Sequence, residues 1–160
     1  MNKIEKILVG ITGSEHSYYA SLYAIYLASL LKAELIGIFV INEKSLDELL
    51  KANIFITEEK AGYEQDMEND ALSYLTQFES TAMKKNIPVV KFIRKGVVHR
   101  EIINFAEENH VDLVVIGELN KIISLKDIAY DEMERLLRES KIPVVVANNR
   151  EMITMLYQNL

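Results

Sequence analysis

The chain has no cysteine. Disulfides, thiol chemistry and cysteine-based metal sites are therefore excluded, and a reducing cytoplasm is compatible with the sequence. No apolar run approaches the roughly 20 residues that a membrane span needs. Met1 to Gly10 carries Glu5 and Lys6 inside its apolar part, so it reads as a strand of the fold and not as a signal peptide. Net charge is −6 and no cluster of Lys and Arg stands out, which argues against nucleic acid and acidic membrane surfaces as partners. There is no linker, internal repeat or low-complexity stretch. His16, His99 and His110 show no His-x-x-x-His metal spacing and are expected on the surface, with His16 alone placed at the rim of a sheet. Ser14 and Ser17 lack a Gly-x-Ser-x-Gly elbow, so Gly13-Ser14 reads as a turn and cap, and no catalytic residue is expected.

What is present is a core. At 160 residues and 49% hydrophobic content the chain reads as one domain large enough to bury one. Apolar runs without alternation mark buried parallel strands at Ile4–Ile11, Leu35–Ile41, Ile87–Ile93, Asp112–Ile116 and Ile142–Ala147. Helical spacing marks Ser14 (cap) to Lys32, Ala61–Lys85, Val98–Asn109 and Asp127–Ser140. In the second of these Met67, Ala71, Tyr74, Leu75, Phe78 and Ala82 form the inward face; in the third Ile102, Phe105 and Ala106 do. Ser45–Ala52 suggests a short helix and Asn53–Thr57 a loop or a piece of strand. Strand and helix alternate throughout, so right-handed crossovers predict an α/β fold: one parallel sheet with helices on both faces. Residues 1–147 make the domain. Residues 148–160 form an extension in which Met152, Ile153, Met155, Leu156 and Tyr157 are too apolar to float free, so it packs on its own domain or on a partner subunit.

Four pieces stand in order with matching spacing. They are Lys6 to Ser17 (KILVGITGSEHS), Gly96 to Ile102 (GVVHREI), Val111 to Gly117 (VDLVVIG) and Ser140 to Val146 (SKIPVVV). Together they resemble the universal stress protein family over about Lys3 to Ala147. The resemblance implies a Rossmann-like five-stranded parallel sheet in the order 3-2-1-4-5. It also implies a cytoplasmic homodimer linked to stress survival. Strand five is then an edge, and Ile142–Ala147 is expected to pair with the same strand of a second subunit, helped by the tail.

One branch of that family binds ATP through a loop of Gly, two residues, Gly, nine residues, Gly, then Ser or Thr. This chain keeps the spacing and changes the residues: Gly117 takes the first position, Asn120 the second, Tyr130 the third and Asp131 the last. Thr12 stands where the family usually has an Asp facing the nucleoside. Asn tolerates a left-handed backbone, so Asn120 is a mild change. Tyr130 puts a ring where backbone should approach a phosphate, and Asp131 puts a carboxylate at a helix start. With Glu118 it opposes a triphosphate by about 1 kcal/mol per charge pair even in water-like dielectric. Lys121, Lys126 or a metal ion would have to offset that. Asp131 reads instead as a residue that satisfies the helix N–H groups itself. The expectation is a non-catalytic regulatory or interaction protein without cofactor or metal. The alternative is a nucleotide module binding ATP with Mg, the adenine end near Ile11, Thr12 and Ile41 and the phosphates near Gly117, Asn120 and Lys121.

Overall fold

The computed structural model describes residues 3–43, 47, 48, 51, 57–119 and 131–160. The strands are β1 (Lys6–Gly10), β2 (Glu34–Asn42), β3 (Val89–Gly96), β4 (Leu113–Gly117) and β5 (Val144–Ala147). They pair in parallel in the order β3-β2-β1-β4-β5, as the resemblance implies. Among the described residues the helices are α1 (Glu15–Leu31), α2 (Thr57–Met83), α3 (Val98–Glu108), α4 (Glu132–Glu139) and α5 (Arg150–Gln158).

The apolar runs of β1, β2 and β4 are continuous because these strands bury both faces. Ile7, Val9, Leu35 and Val115 belong to the cluster under α1, α2 and α5. Leu8, Ile36, Val114 and Ile116 belong to the cluster under α3 and α4. Successive strand residues point to opposite faces, so a run that feeds two cores needs an apolar residue at every position.

α1 starts where Ser14 caps it, its side chain accepting from the Ser17 N–H at 3.2 Å. It ends at Lys32, whose left-handed backbone (φ 54) turns the chain into β2. α5 closes the same layer. It packs on α1, with Ile153 1% exposed, and the Tyr157 hydroxyl donates to the Thr81 carbonyl of α2 at 2.8 Å. The extension thus lies on its own domain, with Met152 and Met155 exposed.

The sheet's two margins differ. β3 carries Lys91, Arg94 and Lys95, paired with Glu79, Glu108 and Glu68 at 3.0, 3.2 and 2.7 Å. β5 reads Val-Val-Val-Ala and is half-buried.

Some boundaries depart from the expected ones. β3 runs to Gly96, three residues beyond Ile93, because it stays in register with β2 up to the Asn42–Gly96 pair. Tyr74, expected inward, is 38% exposed: its ring lies at the rim, stacked on Phe39 and close over Gly13. The last helix of the domain begins at Glu132, and Asp131 precedes it in extended backbone (φ −78, ψ 102). Residues 127–130 of the helix expected over Asp127–Ser140, residues 53–56 of the expected loop or strand and most of the short helix at 45–52 lie outside the described residues.

Candidate functional site

The order of the sheet reverses between β1 and β4, so the connections leaving their carboxyl ends diverge and open a crevice. A cleft of about 320 Å³ sits there, lined by Thr12, His16, Gly117, Glu118, Asp131 and Glu132 among others. Of the residues expected at a nucleotide site, Thr12, Gly117 and Asp131 meet in this cleft. Asn120, Lys121 and Tyr130 lie outside the described residues. Ile41 is buried at the end of β2 and is not among the residues lining the cleft. Strand alternation explains this: Val40 belongs to the core on the cleft side, so the next residue points to the other face. Ile11 likewise faces a separate cavity of about 200 Å³ between α1 and α2, walled by Tyr18, Tyr74 and Phe78.

The chain itself occupies the places a ligand would use. Gly117 sits so close to α1 that a Cβ there would lie 2.5 Å from the His16 carbonyl oxygen. Its missing side chain makes room for a helix. Thr12 is absorbed by the turn into α1. Its Oγ1 lies 2.8 Å from the Ser14 Oγ, and its N–H donates to the Ser17 Oγ at 3.0 Å. Asp131 caps α4: the N–H groups of Met133 and Glu134 donate to its Oδ1 at 3.0 and 3.2 Å. These are the donors that an anion at a helix start would take.

The remaining charged groups of the cleft are also paired. Glu118 Oε2 lies 3.7 Å from Arg150 Nε and 3.9 Å from His16 Nδ1, and Arg150 Nη2 donates to that Nδ1 at 3.3 Å. Arg150 also binds Glu15 at 2.9 Å and lies over the Tyr19 ring. Sequence reasoning missed this arginine, because nothing in the tail's composition says which end of the sheet it reaches.

Sequence reasoning also placed His99 on the surface, and the structure corrects this. His99 is 1% exposed, with Nδ1 2.6 Å and its backbone N 2.8 Å from Glu132 Oε2. A signal existed: His99 shares the helical spacing of Ile102 and Ala106, which face inward. Burial pushes the Glu132 carboxyl up. The backbone N–H, ring and charge of His99, with Arg135, outweigh it and hold the carboxyl below its usual range. Among the described residues no three His, Asp or Glu side chains gather as a metal site. No described helix is long and apolar enough to cross a membrane.

A parallel sheet in this order, with helices on both faces and a crevice at its switch point, is a Rossmann-like α/β architecture. The universal stress protein family model matches residues 3–148, and the chain belongs to that family. Solved structures share the fold. Hypothetical protein MJ0577 is 22% identical with a TM-score of 0.74, over 92% of this chain and 98% of that one. A universal stress protein family member from Burkholderia pseudomallei is 19% identical with a TM-score of 0.68, over 89% and 95%. A universal stress protein solved in complex with cAMP is 17% identical with a TM-score of 0.66, over 91% and 97%. No curated protein matches the chain. The family match ends before α5, so Arg150 comes from outside it.

Proposed function

We propose that this chain is a non-catalytic universal stress protein acting as a stress-linked regulatory or interaction homodimer in the cytoplasm, and that it does not hold ATP by the family's phosphate loop. The observation that carries this reading is the Asp131 cap. The α4 N–H groups nearest the cleft already donate to a carboxylate, so a phosphate arriving there meets negative charge and spent donors. The serines near the cleft support a non-catalytic role, since Ser14 and Ser17 spend their hydroxyls on the turn into α1.

The test is thermal melting with Mg-ATP, ADP, AMP and cAMP. Ligand binding to the native state stabilises it by about 2.7 kcal/mol at a hundredfold over the dissociation constant. No shift is expected with Mg-ATP, and a clear rise would overturn the reading. Tyr130→Gly with Asp131→Ser then asks whether the loop residues closed the site, and a gain of ATP-dependent stabilisation is the expected result.

A second reading, a nucleotide module with an altered loop, is supported by the cleft itself. Its volume of about 320 Å³ is within the usual range for small-molecule sites, and a fold neighbour was solved with cAMP. cAMP carries one negative charge and asks far less of the loop than a triphosphate. A shift with cAMP or AMP alone would favour this reading.

The proposed dimer is supported by the contrast between the margins. β3 is guarded by three basic side chains, whereas β5 presents an uncharged valine-rich edge of the kind that pairs with another strand. Light scattering at tens of micromolar is expected to give twice the chain mass. Val145→Lys is expected to return it to one. Monomers of the unaltered chain at that concentration would remove this part of the proposal.

A further inference from the structure

The cavity of about 200 Å³ between α1 and α2 is a second concave site, meeting the switch-point cleft only at Ser14 and Ser17. The rings of Tyr18, Tyr74 and Phe78 wall it, the first two partly exposed and the last buried. The extension braces it: the Tyr157 hydroxyl holds the carbonyl of Thr81, a lining residue, at 2.8 Å. The hydroxyls it contains are committed in one direction. Ser21 O–H donates to the Tyr18 carbonyl at 2.6 Å and Thr81 O–H to the Gln77 carbonyl at 2.8 Å. Both spend their hydrogens on helix backbone and keep lone pairs, so they can only accept. Ser14, Ser17, Gln77 and the tyrosine hydroxyls are neutral groups able to donate or accept. Among the described residues lining the cavity the one formal charge is the Glu15 carboxylate, with no Lys, Arg or His.

We propose that this cavity binds a small primary amine with an aromatic body, its ammonium drawn by the lone pairs of Ser21 and Thr81 and by Glu15, its body held among the three rings. An ammonium has three donors and no acceptor, which complements hydroxyls that can only accept. A cation also gains from the faces of aromatic rings. Arg150 binds Glu15 Oε1 at 2.9 Å and offsets part of that charge, so the lone pairs and rings carry much of the selectivity. An anion finds no cationic side chain among the lining residues and meets a carboxylate. Size agrees: roughly 150 Å³ is enough to hold a benzene ring, so about 200 Å³ admits a ring with a short amine arm. That is below the roughly 300 Å³ at which sites for larger ligands begin.

This goes beyond the functional reading above and is measured without any nucleotide, so either can fail alone. The probes are phenethylammonium, phenethyl alcohol and phenylacetate, which share a skeleton and differ in charge. Amide chemical shifts of the full chain are followed by two-dimensional NMR as each is added. The amine is expected to give saturable shifts confined to Ser14–Ser21 and Tyr74–Thr81. The alcohol is expected to bind about tenfold more weakly, the difference a charge-assisted hydrogen bond makes, and phenylacetate not at all. Glu15→Gln, at an exposed side chain, is expected to weaken the amine severalfold and leave the alcohol unchanged. Tyr18→Leu, also at an exposed position, is expected to weaken the amine severalfold by removing a ring from the wall. No saturable shift at tens of millimolar amine, equal binding of the alcohol or of phenylacetate, shifts centred elsewhere on the molecule, or undiminished affinity in either variant would overturn the site.

Discussion

Gly117→Ala is expected to destabilise the fold by about 2–3 kcal/mol, near the top of the range for overpacking a well-fitted site. The new Cβ would lie 2.5 Å from the His16 carbonyl oxygen and 2.6 Å from its carbon, so it meets backbone that cannot swing aside as a side chain can. Relief requires the first turn of α1 to lift off β4, which also displaces His16 from Arg150 and Glu118. Gly62→Ala is the control. Its Cβ meets nothing within 4 Å, and it lies inside helix α2, where replacing Gly by Ala should stabilise by about 0.5–1 kcal/mol. Urea unfolding of the two variants should therefore move in opposite directions. Equal behaviour would mean that the approach of α1 to β4 is slack.

Phe105→Ala is expected to cost about 3–5 kcal/mol, comparable with the whole stability of many domains. Phe105 is 1% exposed at the centre of the α3 layer, with the Phe92 ring 4.7 Å away and the Arg94 guanidinium 5.3 Å from its own ring. Removing it leaves a cavity and strips the support from β3. The midpoint in urea should fall steeply with little change in slope. Phe92→Ala should cost less, since that ring is already 37% exposed. A Phe105→Ala loss smaller than that of Phe92→Ala would show that this layer is not what holds α3.

The sheet could be read from the sequence because a strand buried on two faces is written as an unbroken apolar run, and helices between such runs leave one topology. β1, β2 and β4 were legible for that reason, and the Ser14 cap was legible by its residue type. What escaped depended on contacts distant in sequence. His99 is polar by type, and only Glu132 and Glu139, more than thirty residues away, make its burial tolerable. Arg150 reaches His16 and Glu118 beside the cleft because α5 folds back on α1. Asp131 was legible as a capping side chain, though not the residue at which its helix begins.

The unequal margins of the sheet limit how far it can be extended. A strand added beside β5 finds open backbone and valines, whereas one approaching β3 must first displace the lysines and arginine bound to α2 and α3. Two chains joined edge to edge at β5 would both turn their charged borders outward. In such a pair growth would end at two chains, with three basic side chains standing against a filament.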